Sequence, residues 1–245
     1  MKLKTVFVFT VILTLATASL FALVQKVKIT DDRFISYIVN TKTQDLKLYW
    51  KDDKQQNFKS ILNLKTWLEK NNKTLVFAMN AGMYKEDNSP LGLFIEDKKV
   101  VSRLNTKNGN GNFYLKPNGV FYITTDNTVV ICDTKDFNNN GKIRYATQSG
   151  PMLVIDGKIH PEFKEGSKNM NIRNGVGILP GNRIVFAMSK SEINFYDFAN
   201  YFKSLGCKHA LYLDGFVCRT YLPEQNWIQT DGNFGVLIGV TTSSQ

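Results

Sequence analysis

Four times along this chain a glycine opens a short apolar run that reaches a tight turn and then resumes. Gly92 leads Leu-Phe-Ile, a turn at Glu96-Asp97-Lys98 and Val100-Val101, while Gly119 leads Val-Phe-Tyr-Ile, a turn at Asp126-Asn127 and Val129-Val130-Ile131. Gly150 leads Pro-Met-Leu-Val-Ile and an Asp156-Gly157 turn, and Gly177 leads Ile-Leu, a Pro180-Gly181-Asn182 turn and residues 184–188. Asx-Gly and Pro-Gly pairs between apolar runs are the strongest short-range hairpin signals. Two of the four turns carry such a pair, and the four hairpins together commit the chain to largely antiparallel or mixed sheets. Further strands are expected at 33–40 and 45–50, which read as an antiparallel pair, and at 74–79, 209–214 and 235–241.

Two stretches change period. Phe58, Ile61, Leu62, Leu64, Trp67 and Leu68 recur at helical spacing over residues 58–70, with Asn71-Asn72 as the stop. Residues 195–205 form the second amphipathic helix, with Ser191 or Asn194 as its cap and Gly206 as its end. The fold class is therefore α+β. No Pro/Ser-rich linker interrupts residues 27–245, which read as one domain.

The first residues carry a different message. Lys2 and Lys4 precede an apolar run over 6–15, and Ala16-Thr17-Ala18 offers a small-x-small cleavage site. Residues 1–18 are expected to be a secretory signal peptide, with an uncleaved anchor to about residue 24 as the alternative. Either places the rest outside the cytoplasm, periplasmic or secreted, and confines any membrane contact to the N-terminus. The formal net charge is +10, but the lysines are scattered, and a solvated basic surface is expected rather than a nucleic-acid site. Three cysteines, Cys132, Cys207 and Cys218, lack metal-type spacing; Cys207 and Cys218 either pair or stay free. With only His160 and His209 there is no His-rich zinc site, and His160, just past a hairpin, reads as a surface residue. Neither His-Glu-x-x-His, Gly-x-Ser-x-Gly nor a P-loop is present.

What recurs instead is a polar residue beside glycine at a strand end. Asn80-Ala-Gly82-Met83 closes one run, Gln148-Ser149-Gly150-Pro151 separates two, Arg173-Asn174-Gly175 opens another, and Asp214-Gly215 closes the last. One Asp-Gly pair reads most simply as a turn. Four such ends describe a pocket for a polar, anionic ligand, in which glycines admit close backbone approach and Arg173 grips a phosphate or carboxylate. The runs Val76-Phe-Ala-Met79 and Val185-Phe-Ala-Met188 echo one another and deliver Asn80 and Ser189 from similar ends.

These motifs, in this order over residues 75–240, resemble the phosphodiester glycosidase family. The resemblance implies hydrolysis of the bond between a sugar's anomeric carbon and a phosphodiester oxygen, on a sugar phosphodiester or phosphate-bearing glycan. It implies Asp214 as the working carboxylate with Glu192 as the second choice, and Arg173 on the departing phosphate. Asn80, Gly82, Ser149, Gly150, Asn174 and Gly215 would hold substrate, and a divalent cation is compatible with the site. Where much of the family has Asp-Gly-Gly-Gly-Ser, this chain has Asp214-Gly215-Phe216-Val217-Cys218. Phe216 and Val217 are expected to narrow the approach. That departure favours one alternative, a non-catalytic envelope polysaccharide-binding protein; a second is a metal-dependent phosphodiesterase, for which the chain lacks the usual histidines.

Overall fold

The computed structural model describes residues 31–243; the expected signal segment lies outside them. In chain order the elements are β1 (Phe34–Val39), β2 (Asp45–Tyr49), α1 (Ile61–Lys70), β3 (Lys73–Asn80), β4 (Phe94–Glu96) and β5 (Lys99–Ser102). Then come β6 (Gly119–Thr124), β7 (Val129–Asp133), β8 (Ile143–Ser149), β9 (Met152–Ile155), β10 (Lys158–Ile159), β11 (Asn174–Leu179) and β12 (Arg183–Ser189). The last are α2 (Phe195–Ser204), β13 (Ala210–Asp214), β14 (Thr220–Leu222), β15 (Trp227–Ile228) and β16 (Leu237–Ser243).

They form three antiparallel sheets with the orders β1-β12-β11-β13-β9-β10, β15-β14-β3-β16-β2 and β5-β4-β8-β6-β7. All four glycine-led hairpins are present, as β4/β5, β6/β7, β9/β10 and β11/β12. Their turns use positive φ where the sequence supplies Asp, Asn or Gly, as at Asp156 (49°) and Gly157 (77°).

The first two strands do not pair with each other. β1 joins β12 in the first sheet and β2 joins β16 in the second. Their connection has no Asx-Gly pair to close a two-residue hairpin, and its turn bonds Gln44 N–H and Thr43 N–H back to Asn40 O at 2.9 and 3.0 Å. The chain can therefore diverge there and feed both sheets. β8, β14 and β15 add to the strands whose bounds the periodicity predicts. β8 is central to the third sheet, between β4 and β6.

The inner faces of the three sheets share one core, in which Phe77, Phe94, Phe121, Phe186, Leu211 and Ile238 are all buried. Such side chains contribute about 1.5–3 kcal/mol each. α1 covers the second sheet with Ile61, Leu64 and Leu68 against Leu75, Ala78 and Leu237. It starts three residues later than the periodicity predicts, because Lys59 takes a positive φ of 61° and Ser60 Oγ caps the helix by accepting Asn63 N–H at 3.2 Å. α2 is capped by Asn194 Oδ1, which accepts Asp197 N–H at 2.8 Å. It lies against the first sheet, where a Cβ on Gly175 or Gly177 would meet Phe198 at 3.3 Å or Phe202 at 2.7 Å.

Candidate active site

Asp214 is the last residue of β13, and the Asp-Gly pair that follows is not a hairpin turn. The chain leaves the first sheet there and enters the second at β14. At this seam Asp214 is 9% exposed. Its Oδ2 accepts Asn80 Nδ2–H at 2.8 Å and its Oδ1 accepts Gly215 N–H at 2.7 Å. Burial pushes its carboxyl up to about 6, with the Gly215 and Asn80 hydrogen bonds pulling the other way. Desolvation wins because two neutral donors replace only part of the hydration a carboxylate loses.

Asn80 ends β3 and is the junction of the corner. Its Oδ1 accepts Asn174 Nδ2–H at 2.9 Å and Arg219 N–H at 3.0 Å. Asn174, opposite Asp214 in the β11/β13 ladder, also donates to Asn80 O at 2.9 Å. Asn174 Oδ1 is buried and accepts no hydrogen bond from the protein. With each amide orientation determined by its partners, Asn80 has one outcome: its donor faces the carboxylate.

The third sheet reaches the corner through Ser149, whose buried Oγ donates to Leu213 O at 2.8 Å. The structure thus gathers Asn80, Asn174, Asp214 and Gly215 by direct bonds, with Ser149 one residue behind. The glycines are explained by the protein's own atoms rather than by ligand approach. A Cβ on Gly82, where φ is +82°, would lie 2.6 Å from Thr147 Oγ1; one on Gly150 would lie 2.5 Å from Asn118 Cβ. At Gly215 it would fall 1.2 Å from Tyr212 Oη.

Arg173 differs most from expectation. It is 0% exposed, and its guanidinium is spent inside the protein. Nε–H donates to Ile193 O at 2.8 Å, one terminal nitrogen to Asn169 O and Oδ1 at 2.8 and 3.0 Å, and the other to Tyr212 Oη at 3.2 Å. The group lies 3.6 Å over the Phe195 ring, and burial lowers its pKa from the usual arginine value. A guanidinium bound this way cannot turn to grip a phosphate bidentately. Glu192 stands apart, exposed on the connection between β12 and α2. Ser189, which the repeated strand motif pairs with Asn80, is buried, and its Oγ accepts Arg173 N–H at 3.0 Å.

His160 is buried rather than on the surface. Its ring stacks on Phe163 at 4.7 Å, and Nε2 lies 3.2 Å from Lys116 O. All three cysteines are free. Cys218 is buried with Sγ 3.3 Å from Asp214 O and 3.5 Å from Ile172 O, and burial raises its thiol well above the usual range. Two neighbours had no local sequence signal. Arg219 forks onto Asp231 at 2.7 and 2.9 Å while one terminal nitrogen donates to Cys218 O at 3.0 Å. Phe216, far from narrowing the corner, projects into solvent at 87% exposure.

Among the described residues no three His, Cys, Asp or Glu side chains gather to hold a metal. The corner supplies one carboxylate, amides and a thiol, which is not an oxygen cage for a divalent cation.

Comparison with known proteins adds four matches. A family profile described as phosphodiester glycosidase matches residues 73–236. An uncharacterized protein of Escherichia coli (strain K12), YigE, is 38% identical over 188 residues, covering 76% of this chain and 73% of that one. The catalytic domain of zebrafish N-acetylglucosamine-1-phosphodiester alpha-N-acetylglucosaminidase, auto-inhibited by its pro-peptide, superposes with a TM-score of 0.53 at 14% identity, over 87% of this chain and 85% of that one. A hypothetical protein from Synechocystis has a TM-score of 0.54 at 12% identity, over 85% and 59% of the two chains.

Proposed function

The chain belongs to the phosphodiester glycosidase family, and from that premise we propose that it hydrolyses the anomeric C–O bond of a sugar-1-phosphodiester, with Asp214 as the acid–base carboxyl. The observation that carries this reading is the buried Asp214, held by Asn80 and Gly215 with its carboxyl at about 6. A carboxyl in that range is divided between its two forms near neutral pH and can take or give a proton.

In the proposed step a water oxygen forms a bond to the anomeric carbon as the bond to the phosphate oxygen breaks. The electron pair leaves with the phosphate monoester, and the water's proton passes to Asp214. Burial favours the neutral acid that results. A phosphate is a good leaving group, so the demand for a strong general acid is small. Asn80 and Gly215 N–H fix the carboxylate's orientation, so that its charge supports the oxocarbenium-like centre that develops at the substrate's anomeric carbon. With Arg173 committed internally, Arg219 is the cation assigned to the departing phosphate. Its fork on Asp231 leaves terminal N–H groups to donate, and its side chain is one-third exposed. Arg173 is a positioning residue, holding Tyr212 against Gly215. Residues 1–18 support export, so the substrate offered would be a periplasmic or extracellular phosphate-linked glycan.

The test is incubation with methyl diesters of several sugar-1-phosphates in ¹⁸O-water, with and without chelator. Free sugar carrying the label, alongside methyl phosphate, is expected. Label in phosphate means P–O cleavage, and binding without turnover means a glycan-binding protein; either outcome sinks the proposal.

A further inference from the structure

The described residues include six exposed large apolar side chains, and three of them, Met170 (42%), Phe216 (87%) and Val217 (37%), belong to two segments that adjoin the Asp214 corner. The two segments are cross-linked by the Cys218 Sγ contact to Ile172 O at 3.5 Å and by Arg173, which bonds Asn169 on one side and Tyr212 Oη on the other. Tyr212 Oη in turn presses on Gly215. Exposed apolar side chains on two linked segments beside a polar corner mark a ligand-binding surface rather than a lapse of folding.

The Phe216 ring is carried on a strap pinned at both ends. Before it, Gly215 N–H bonds Asp214 Oδ1 at 2.7 Å; after it, Arg219 N–H bonds Asn80 Oδ1 at 3.0 Å and the Arg219 guanidinium forks onto Asp231. The ring is therefore presented two residues from the carboxyl by a backbone whose ordering cost is already met by other bonds, the condition under which an exposed side chain binds tightly.

We propose that Phe216 is a stacking platform for the sugar ring of the substrate, flanked by Val217 and Met170, and that the site selects pyranoses with an uninterrupted C–H face. This rests on the reading of Asp214 given above. The chemistry follows from the ring's quadrupole. Its negative face attracts polarised C–H groups, while the sugar's hydroxyls, at the ring's periphery, stay free to reach Asn80, Asp214 and water. An aliphatic side chain of similar area lacks that directional term.

Phe216→Ala, Phe216→Leu and Phe216→Trp, assayed with the same panel of methyl diesters, test it. Expected is a KM raised about tenfold in the Ala variant with kcat within about twofold, most of that loss retained in Leu, and recovery in Trp. Unchanged KM in Phe216→Ala, or full rescue by leucine, overturns the platform. Sedimentation with phosphatidylglycerol vesicles that depends on Phe216 while KM stays constant overturns it too, in favour of a membrane contact. Saturation-transfer NMR with the free sugar-1-phosphates separates this proposal from the reaction. If the wild type turns nothing over yet one sugar face receives saturation lost in Phe216→Ala, the platform stands and the hydrolase reading falls. No saturation in the wild type overturns the platform.

Discussion

Asp214→Asn gives the sharpest test of the corner, through stability rather than rate. In the unfolded chain the carboxyl titrates at an ordinary 3.8, and in the folded chain at about 6. The folded state holds its proton the more tightly, so the contribution of this group is fully present below about pH 4 and is lost as pH rises through about 6. A gap of about two pH units at about 1.4 kcal/mol each makes that loss about 3 kcal/mol. Asparagine cannot titrate, but it brings its own fixed penalty. Its Nδ2 must face either Gly215 N–H or Asn80 Nδ2–H, donor against donor, and Asn80 cannot flip without breaking its bonds from Asn174 and Arg219. That penalty is the same at every pH, so the difference between the two proteins separates the effects. Urea unfolding followed by tryptophan fluorescence from pH 4 to pH 8 should show the variant gaining about 3 kcal/mol on the wild type, equivalent to about 10 °C in Tm. Glu96, raised by burial, and His160, lowered by it, titrate in both proteins and cancel. Parallel curves would mean that Asp214 is an ordinary acid, and the acid–base assignment would go with it.

Gly215→Ala places its Cβ on the buried Tyr212 hydroxyl and should cost about 3 kcal/mol along with turnover; an alanine variant with wild-type urea midpoint and rate would show that the ring moves aside freely. Arg173→Met should destabilise by about 2–4 kcal/mol, since Ile193 O and Asn169 O lose their donor, and Arg173→Lys should not restore it, because one ammonium cannot replace the fork. Asp231→Asn removes the carboxylate that holds the Arg219 guanidinium in place and should change stability by less than about 1 kcal/mol while raising KM for a charged diester through lost orientation; unaltered KM would remove Arg219 from the site. His160 is disfavoured as a cation by burial, so its contribution to stability falls as pH drops below 6.5, and His160→Gln should gain on the wild type over that range in the same urea series.

The parts of the molecule written locally were legible. Asp156-Gly157 and Pro180-Gly181-Asn182 close hairpins because their preferred dihedrals are a property of two or three residues, and the helix at Ile61–Lys70 follows from its own period. Strand partners were not. β1 and β2 are neighbours in sequence yet belong to different sheets, because their apolar faces suit either pairing and only the assembled core decides. The same division runs through the corner. Asp214 was recognisable as a carboxyl stranded at a strand tip, and Asn80 and Asn174 as polar residues at two others. The burial of Arg173 was not, since Phe195, Tyr212 and Asn169 come from three separate segments. Nor was Arg219, whose partner Asp231 lies 12 residues away in a stretch with no periodicity.

Asn80 bonds residues 94, 134 and 139 positions further along the chain. On refolding, every one of those loops must close before the side chain has its full set of partners, and closures over such spans are slow. Sheet content and even the burial of α1 can recover while the carboxyl is still hydrated and ordinary in its acidity. Regain of the perturbed titration is thus a clock for the last docking event, and recovery of activity should lag recovery of the circular dichroism signal. A chain with this wiring has no half-built form that works.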